Sequence, residues 1–300
     1  MKKKEEILIS IIIRAYNEEN NIGKLLSLIK RQKLSYDYEI IVVDSGSIDK
    51  TIMIAKQFDV KIINIKPEEF SFGYSLNKGI EQASGEICVF ISAHCFPVNE
   101  KWLEELVTPL LKNKRIGLVY GKQRGGDMSK FSEKEIFKKW YPENIDGIQN
   151  HPFSNNANTA IRKNIWEECK YDETLTGLED LDWAKKVLDK GFLIYYSSKA
   201  EVLHIHNETW KQIKNRYKRE AMAFYKIFPE QKFGFFSFLK YFLLNTTMDF
   251  FHSLREGKLR IREIILYRYN QFKGTYDGAK HKDNVTKELK NIFYYPNKRR

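Results

Sequence analysis

Along the first third of the chain, short apolar runs alternate with segments whose apolar residues recur every three or four positions. Ile7–Arg14, Glu39–Val43, Val60–Ile65 and Glu86–Ser92 are apolar, largely β-branched runs, and they predict strands. Between them, Glu18–Arg31 puts Ile22, Leu25, Leu26 and Ile29 on one helical face, and further helices are expected at about Asp49–Phe58 and Ser75–Ala83. Apolar runs without in/out alternation suit strands covered on both faces. The pattern therefore predicts βαβ units, a Rossmann-like α/β fold with a mainly parallel sheet flanked by helices, and right-handed crossovers.

From Lys122 to Asn158 the periodicity fades, and Gly125, Gly126, Pro142 and Pro152 punctuate a stretch read as an irregular, substrate-facing loop. A helix is expected over Asp180–Lys190, then strands at Phe192–Tyr196 and Glu201–Ile205. Beyond Thr209 the chain reads as amphipathic helix dense in Lys and Arg. The expected division is an α/β domain over residues 1–225 and a basic, aromatic-rich helical extension over 226–300.

Composition narrows the class. Of 300 residues, 42% are hydrophobic and 30% charged, which fits a soluble globular chain rather than a disordered one. The excess of 51 basic over 39 acidic side chains, a formal charge of +12, points to an anionic partner: a nucleotide, nucleic acid or an anionic membrane surface. Cys88, Cys95 and Cys169 form no CxxC pair, and the run Ile7–Ile13 is too short for a secretory core. A cytoplasmic location is expected. The aromatic stretch Phe233–Leu254 is interrupted by Lys240, Asn245 and Asp249, which argues against an uninterrupted membrane span.

In an open parallel sheet, ligands bind beyond the carboxyl ends of the strands. Polar clusters stand at successive ends: Arg14, Tyr16, Asn17 and Glu18; Asp44, Ser45, Gly46 and Ser47; Ser92, Ala93 and His94. Asp44 could accept hydrogen bonds from a base or ribose, and Gly46 permits close backbone approach. Asn17, Ser47 and Asp49 could instead cap the following helices. Clusters at three successive ends favour a shared ligand. No GxGxxG and no GxxxxGK[ST] occurs, which removes the main support for dehydrogenase and P-loop readings.

Ser10–Glu19, Ile40–Thr51, Leu76–Glu86 and Gly177–Trp183 together resemble the ordered motifs of family 2 glycosyltransferases. The resemblance spans roughly residues 7–225. It implies a GT-A fold and inverting, single-displacement transfer from a nucleotide-sugar. By the same resemblance, Asn17, Glu18 and Asp44 lie against the nucleoside, with Asn77 and Lys78 near it. Asp180 is the catalytic base and Glu179 its neighbour. A carboxylate suits that role because an acceptor hydroxyl must lose its proton as the new bond forms. Negative charge at a helix N-terminus explains Glu179, Asp180 and Asp182 equally well.

Where the family usually carries Asp-x-Asp for a divalent metal, this chain has Ser92-Ala93-His94. His204 and His206 follow on what reads as one face of a strand. Two alternatives stand: a Mn²⁺ or Mg²⁺ ion held by His94 and His206 with diphosphate oxygens, or metal-independent transfer aided by imidazole and basic side chains. Pro67–Asn77, the Ser92–Pro97 run, Tyr120–Gln123 and Phe153–Ala160 resemble bacterial members labelled rhamnosyltransferases. That implies a dTDP- or UDP-sugar donor, a glycan or lipid-linked acceptor, and a role in surface polysaccharide or glycoconjugate synthesis. Lys122, Gln123, Asn155 and Asn156 are the candidates for contacting donor or acceptor sugar, with ordinary loop polarity as the competing explanation.

Apolar faces of the extension have two destinations. Packing on the catalytic domain or on a second subunit is favoured for Phe224–Phe251. Contact with the inner face of an anionic membrane is favoured for Arg255–Arg300. No nucleic-acid-binding signature is present. The rival functions are a nucleotidyltransferase on a similar scaffold and a non-catalytic carbohydrate- or membrane-binding module.

Overall fold

A computed structural model describes residues 8–281 and 286–295. Met1–Ile7, 282–285 and 296–300, including the start of the first expected strand and the end of the basic tail, lie outside the described residues. In chain order come β1 (Leu8–Ala15), α1 (Ile22–Lys30), β2 (Asp37–Asp44), α2 (Thr51–Ala55), β3 (Lys61–Asn64) and α3 (Phe72–Glu81). Next are β4 (Ile87–Ser92), β5 (Cys95–Pro97), α4 (Trp102–Lys112), β6 (Ile116–Gly125), α5 (Phe131–Trp140) and β7 (Gly147–Gln149). Then follow β8 (Asn158–Arg162), α6 (Lys163–Glu168), α7 (Glu179–Asp189) and β9 (Leu193–His204). Helices α8 (Trp210–Ile227), α9 (Phe235–Arg255), α10 (Ile261–Ala279) and α11 (Lys287–Tyr294) complete the described chain.

Two compact units result. The first comprises residues 1–126, 140–174 and 179–205; the second comprises 127–139, 175–178 and 206–300. Helix α8 groups with the second unit, so the units part near residue 205 and not after 225.

The first unit is built on one sheet with the order β3-β2-β1-β4-β8-β6-β9-β5, and β7 pairs with β9. Strands β3, β2, β1 and β4 are mutually parallel, as the apolar runs predict. Beyond them the sheet is mixed: β8 runs antiparallel to both β4 and β6, while β6 and β9 are parallel. Ile9, Ile11 and Ile13 of β1 join a core with Leu25, Leu26 and Ile29 of α1 and with Trp102, Leu106 and Leu110 of α4. Ile12 points to the other face, where Gly79 of α3 comes so close that an added Cβ would sit 2.6 Å from the Ile12 methyl. Gly79→Ala should therefore cost about 1–3 kcal/mol, read as a lowered denaturation midpoint at unchanged m-value.

Two expectations need correction. The stretch 122–158 is not irregular throughout, because α5 and β7 lie within it. The residues α5 buries include Ser132 and Glu133 as well as Phe131, so it carries no clean apolar stripe. The two strands expected around Phe192–Ile205 are one continuous β9. The sequence break corresponds to a register shift, where Gly121 pairs with Ser197 but Gln123 with Val202, so β9 carries extra residues against β6.

The second unit packs α10 against α8 and α9, with the Tyr217 and Tyr267 hydroxyls 3.2 Å apart. No helix among the described residues is long and apolar enough to cross a membrane.

Candidate active site

Strand register gathers most of the sequence-predicted residues at one edge of the sheet. Ala15 pairs with Asp44, Arg14 with Ser92, Ile91 with Asn158, and Tyr120 with Thr159. The carboxyl ends of β1, β2, β4 and β6 and the start of β8 therefore share that edge. It carries Arg14, Asp44, Ser92, Lys122 and Gln123, with Asn155 and Asn156 just before β8.

The loops after β1 and β2 are laced together. Asn17 adopts φ 52°, its N–H donates to Ser47 Oγ (2.8 Å), and its Oδ1 accepts from the Ile48 N–H (2.9 Å). Glu18 N–H donates to Thr51 Oγ1 (2.7 Å) and Glu19 N–H to Asp49 Oδ2 (3.1 Å). Asn17 and Ser47 thus bridge two loops and do not simply cap helices. Asp44 is buried and accepts from the N–H groups of Gly46 (3.0 Å) and Ser47 (2.9 Å) and from the Ser47 hydroxyl (2.5 Å). Gly46, at φ 89°, supplies the left-handed turn that aims both N–H groups at this carboxylate. Ser45 N–H ties the end of β2 to the Ala15 carbonyl (3.0 Å), and Tyr16 is partly exposed on the same loop. Ala93 is buried, its N–H on the Arg14 carbonyl (3.3 Å).

Asp180 lies in the first turn of α7. Its Oδ2 accepts from the Asn156 N–H (3.2 Å) and its Oδ1 from the Leu181 N–H (2.8 Å). Burial raises its pKa from 3.8 to about 7, and neighbouring Glu179 pushes the same way; the two N–H groups and Arg14 only partly offset this. Glu179 is held by Arg14 (Nη1–Oε1 3.2 Å), whose guanidinium also lies 5.0 Å from the centre of the Phe72 ring. Asp182 instead pairs along the helix with Lys186 (2.6 Å). Just before α7, Leu178 takes φ 55°, a conformation few side-chain-bearing residues adopt. A carboxyl that titrates near neutrality can take a proton from a hydroxyl and release it again.

His94 and His204 stack, with ring centres 5.1 Å apart. His94 Nδ1 meets Glu18 Oε1 at 2.7 Å, and His204 Nδ1 meets Gln123 Oε1 at 2.7 Å. Oxygen partners on Nδ1 orient the rings with Nε2 as the nitrogen that would face an ion, the usual support for metal-binding imidazole. Imidazole can bind Mn²⁺, whereas Mg²⁺ takes oxygen ligands. β9 ends at His204, so His206 does not share a strand face with it. His206 belongs to the second unit, where Nδ1 meets Glu133 Oε1 at 2.8 Å. Glu133, His206 and Glu208 cluster there, but Arg216 already bonds Glu133 (3.0 Å) and Glu208 (2.7 Å). A guanidinium on both carboxylates makes that cluster an ion-pair network and a poor cation site.

Other expectations change. Asn77 is 1% exposed, and all four of its hydrogen-bonding positions are used inside the protein. Its amide donates to the Tyr171 carbonyl (3.0 Å) and Glu173 Oε1 (2.8 Å), and its oxygen accepts from Trp166 Nε1 (2.8 Å) and the Tyr171 N–H (3.1 Å). Lys78 pairs with Glu81 on the surface of α3 (3.0 Å). Asn77 is thus a structural clamp, with nothing left to offer a nucleotide. Lys122 is buried between Glu143 (2.9 Å) and Glu201 (3.3 Å). Asn155 Oδ1 accepts from the Ala157 N–H (2.9 Å), and Asn156 Oδ1 from the Tyr171 hydroxyl (3.4 Å).

Sequence reasoning missed the Arg14–Glu179 pair and an aromatic group. Tyr120 lies 5.0 Å from Tyr196 and 5.5 Å from Phe153, which stacks at 4.6 Å on the half-exposed Trp140. The aromatics of the 120–153 stretch were the available signal.

Residues 10–170 match the pattern of the family named Glycosyl transferase family 2. The chain belongs to that family. It is 29% identical over 196 residues to the glycosyltransferase AglE of Haloferax volcanii, a match covering 63% of this chain and 64% of the relative. It is 27% identical over 222 residues to the O-antigen chain rhamnosyltransferase RfbN of Salmonella typhimurium, covering 70% of each. Among solved structures, the mannosyltransferase PcManGT of Pyrobaculum calidifontis, in complex with GDP-Man and Mn²⁺, superposes with a TM-score of 0.59 at 17% identity. That superposition covers 96% of this chain and 87% of the other. The family 2 chain has the GT-A fold and is similar to rhamnosyl- and other glycosyltransferases, spanning about 60–70% of the length of the curated relatives it matches.

Proposed function

We propose that the chain transfers a sugar, with inversion, from a dTDP- or UDP-activated donor to a glycan or lipid-linked acceptor, and that a deoxysugar such as rhamnose is the group transferred. The observation that carries this reading is Asp180, a carboxyl buried in the first turn of α7 and held by the peptide N–H of Asn156 at the sheet edge that also bears Asp44. In this reading the loops of Arg14, Tyr16, Asn17, Glu18, Asp44 and Ser45 receive the nucleoside. Asp180 removes the acceptor proton, and Arg14 holds the neighbouring Glu179 in place beside the base.

His94 and His204 would hold a divalent cation, with Glu18 and Gln123 orienting them. When bound, such an ion neutralises charge on the departing diphosphate. The catalytic unit in this reading ends near residue 205, with the helices from α8 onward an appended extension, and works on the cytoplasmic side of the membrane in surface polysaccharide synthesis. The similarity to a rhamnosyltransferase supports the transferred group, and the solved relative bound to GDP-Man and Mn²⁺ supports a nucleotide-sugar donor and the metal.

Melting the chain with dTDP, UDP, GDP or CMP, each in Mn²⁺, Mg²⁺ or EDTA, tests this. A nucleotide at a hundred times its Kd stabilises by about 2.7 kcal/mol. The expected result is a raised midpoint with dTDP or UDP that shrinks in EDTA and, for His94→Ala, no longer responds to Mn²⁺. No shift with any nucleotide would overturn the reading.

A further inference from the structure

We propose that α9 is the membrane-binding surface of this protein and that its occupant is an anionic phospholipid bilayer. The inference rests on the proposed lipid-side function and moves the contact from the basic tail to a defined helix face. Phe236, Leu243, Leu244, Met248, Phe251 and Leu254 are all 46% or more exposed, Phe236 reaching 85%. At 100° per residue they fall within one arc of roughly 140° along about 27 Å of helix. The opposite arc carries the buried Phe238, Asp249 and Ser253.

Charge selects the occupant. Between Gln231 and Arg262 there are six Lys and Arg residues and two acids. Both acids are engaged within the protein: Asp249 is buried in a two-pronged pair with Arg268 (2.7 and 2.8 Å), and Glu256 meets Lys138 (3.2 Å). Hence the exposed arc bears no carboxylate. Lys240 stands inside it, and Arg255, Lys258 and Arg262 are exposed at its carboxyl end. An apolar arc with cationic anchors suits the interface of an anionic bilayer. A second copy meeting the first through the same face would bury Lys240, which stands inside the arc, with no carboxylate on that face to pair it. No described helix is apolar enough to span, so the geometry is that of a helix lying in the interface plane.

Sedimentation of the full chain with phosphatidylcholine vesicles, with and without phosphatidylglycerol, tests this. The chain should bind the mixed vesicles at least tenfold more tightly than the neutral ones and be released by high salt. Leu243→Glu/Leu244→Glu, at two exposed sites, should lower that affinity at least tenfold with an unchanged melting midpoint. Equal binding to both vesicles, no binding, or an unaffected double variant would overturn the proposal. So would a dimer in solution that the double variant dissociates. Nucleotide-induced melting shifts on the same samples without lipid separate this inference from the proposed transfer. A retained shift without vesicle binding refutes only the membrane face, and vesicle binding without a shift refutes only the transfer.

Discussion

Replacing Asp180 by Asn is expected to slow sugar transfer by about 10²–10⁴-fold, the usual contribution of a positioned base, while making the folded chain more stable at pH 8. The two effects share one cause. In the folded chain Asp180 is buried beside Glu179, and its pKa rises from 3.8 to about 7. Below about pH 4 it is protonated in both folded and unfolded chains and contributes no difference. Between about pH 4 and 7 the folded chain holds the proton more tightly, so stability falls as pH rises through this window. Above pH 7 the full penalty applies, at most ~4 kcal/mol. Asn mimics the protonated acid, accepting one N–H and setting an amide against the other. Its gain should therefore be smaller, on the order of 5 °C in midpoint at pH 8, and should vanish towards pH 4. The wild-type pH–rate profile should climb tenfold per unit below about pH 7 and level off above it, and the variant should lose that limb. A variant with wild-type turnover would remove Asp180 from the chemistry; one destabilised at pH 8 would contradict the burial account.

The parallel half of the sheet was legible because Ile11, Ile12 and Ile13 are buried on both faces, which leaves an uninterrupted apolar run. Strand β8 was not legible, because Asn158 and Thr159 are wholly buried yet polar. Asn158 bonds Trp102 Nε1 (2.9 Å) and the Lys122 and Ala200 carbonyls (3.0 and 2.7 Å), partners that no local pattern announces. Likewise β6 carries the buried Lys122 and Gln123 just before its end, and their polarity reads as loop. Helix α4 carries an apolar stripe, but Pro109 interrupts it; Pro lacks the N–H a helix interior needs. At the site, residues at strand ends were placed correctly because parallel topology alone sends them to one edge. Arg14's pairing with Glu179, 165 positions away, was invisible. For α9, Asp249 read as an interruption of a membrane span, whereas it turns inward to Arg268 and leaves the outer face apolar and cationic.

Asn77→Ala should destabilise the chain by about 3–5 kcal/mol and lower its melting midpoint by about 10 °C, yet leave nucleotide affinity in the folded protein unchanged. Truncation strands the Trp166 and Tyr171 N–H groups and the Tyr171 carbonyl, each buried group costing about 1–3 kcal/mol. What the clamp secures is the segment leading to the base. Tyr171 stacks on Trp183 of α7 (ring centres 5.4 Å apart), and its hydroxyl bonds Asn156, whose N–H holds Asp180. Loosening Asn77 should therefore reduce kcat through misplacement of Asp180, by less than Asp180→Asn does, with KM for the donor little changed. Asn77→Asp separates packing from polarity. It keeps the two acceptor contacts, loses both donors and sets a carboxylate against Glu173, so it too should destabilise. Equilibrium unfolding and nucleotide titration below the lowered midpoint would decide the matter. If instead either variant kept its stability and bound nucleotide more than tenfold more weakly, Asn77 would belong to the nucleotide site and the clamp account would fail.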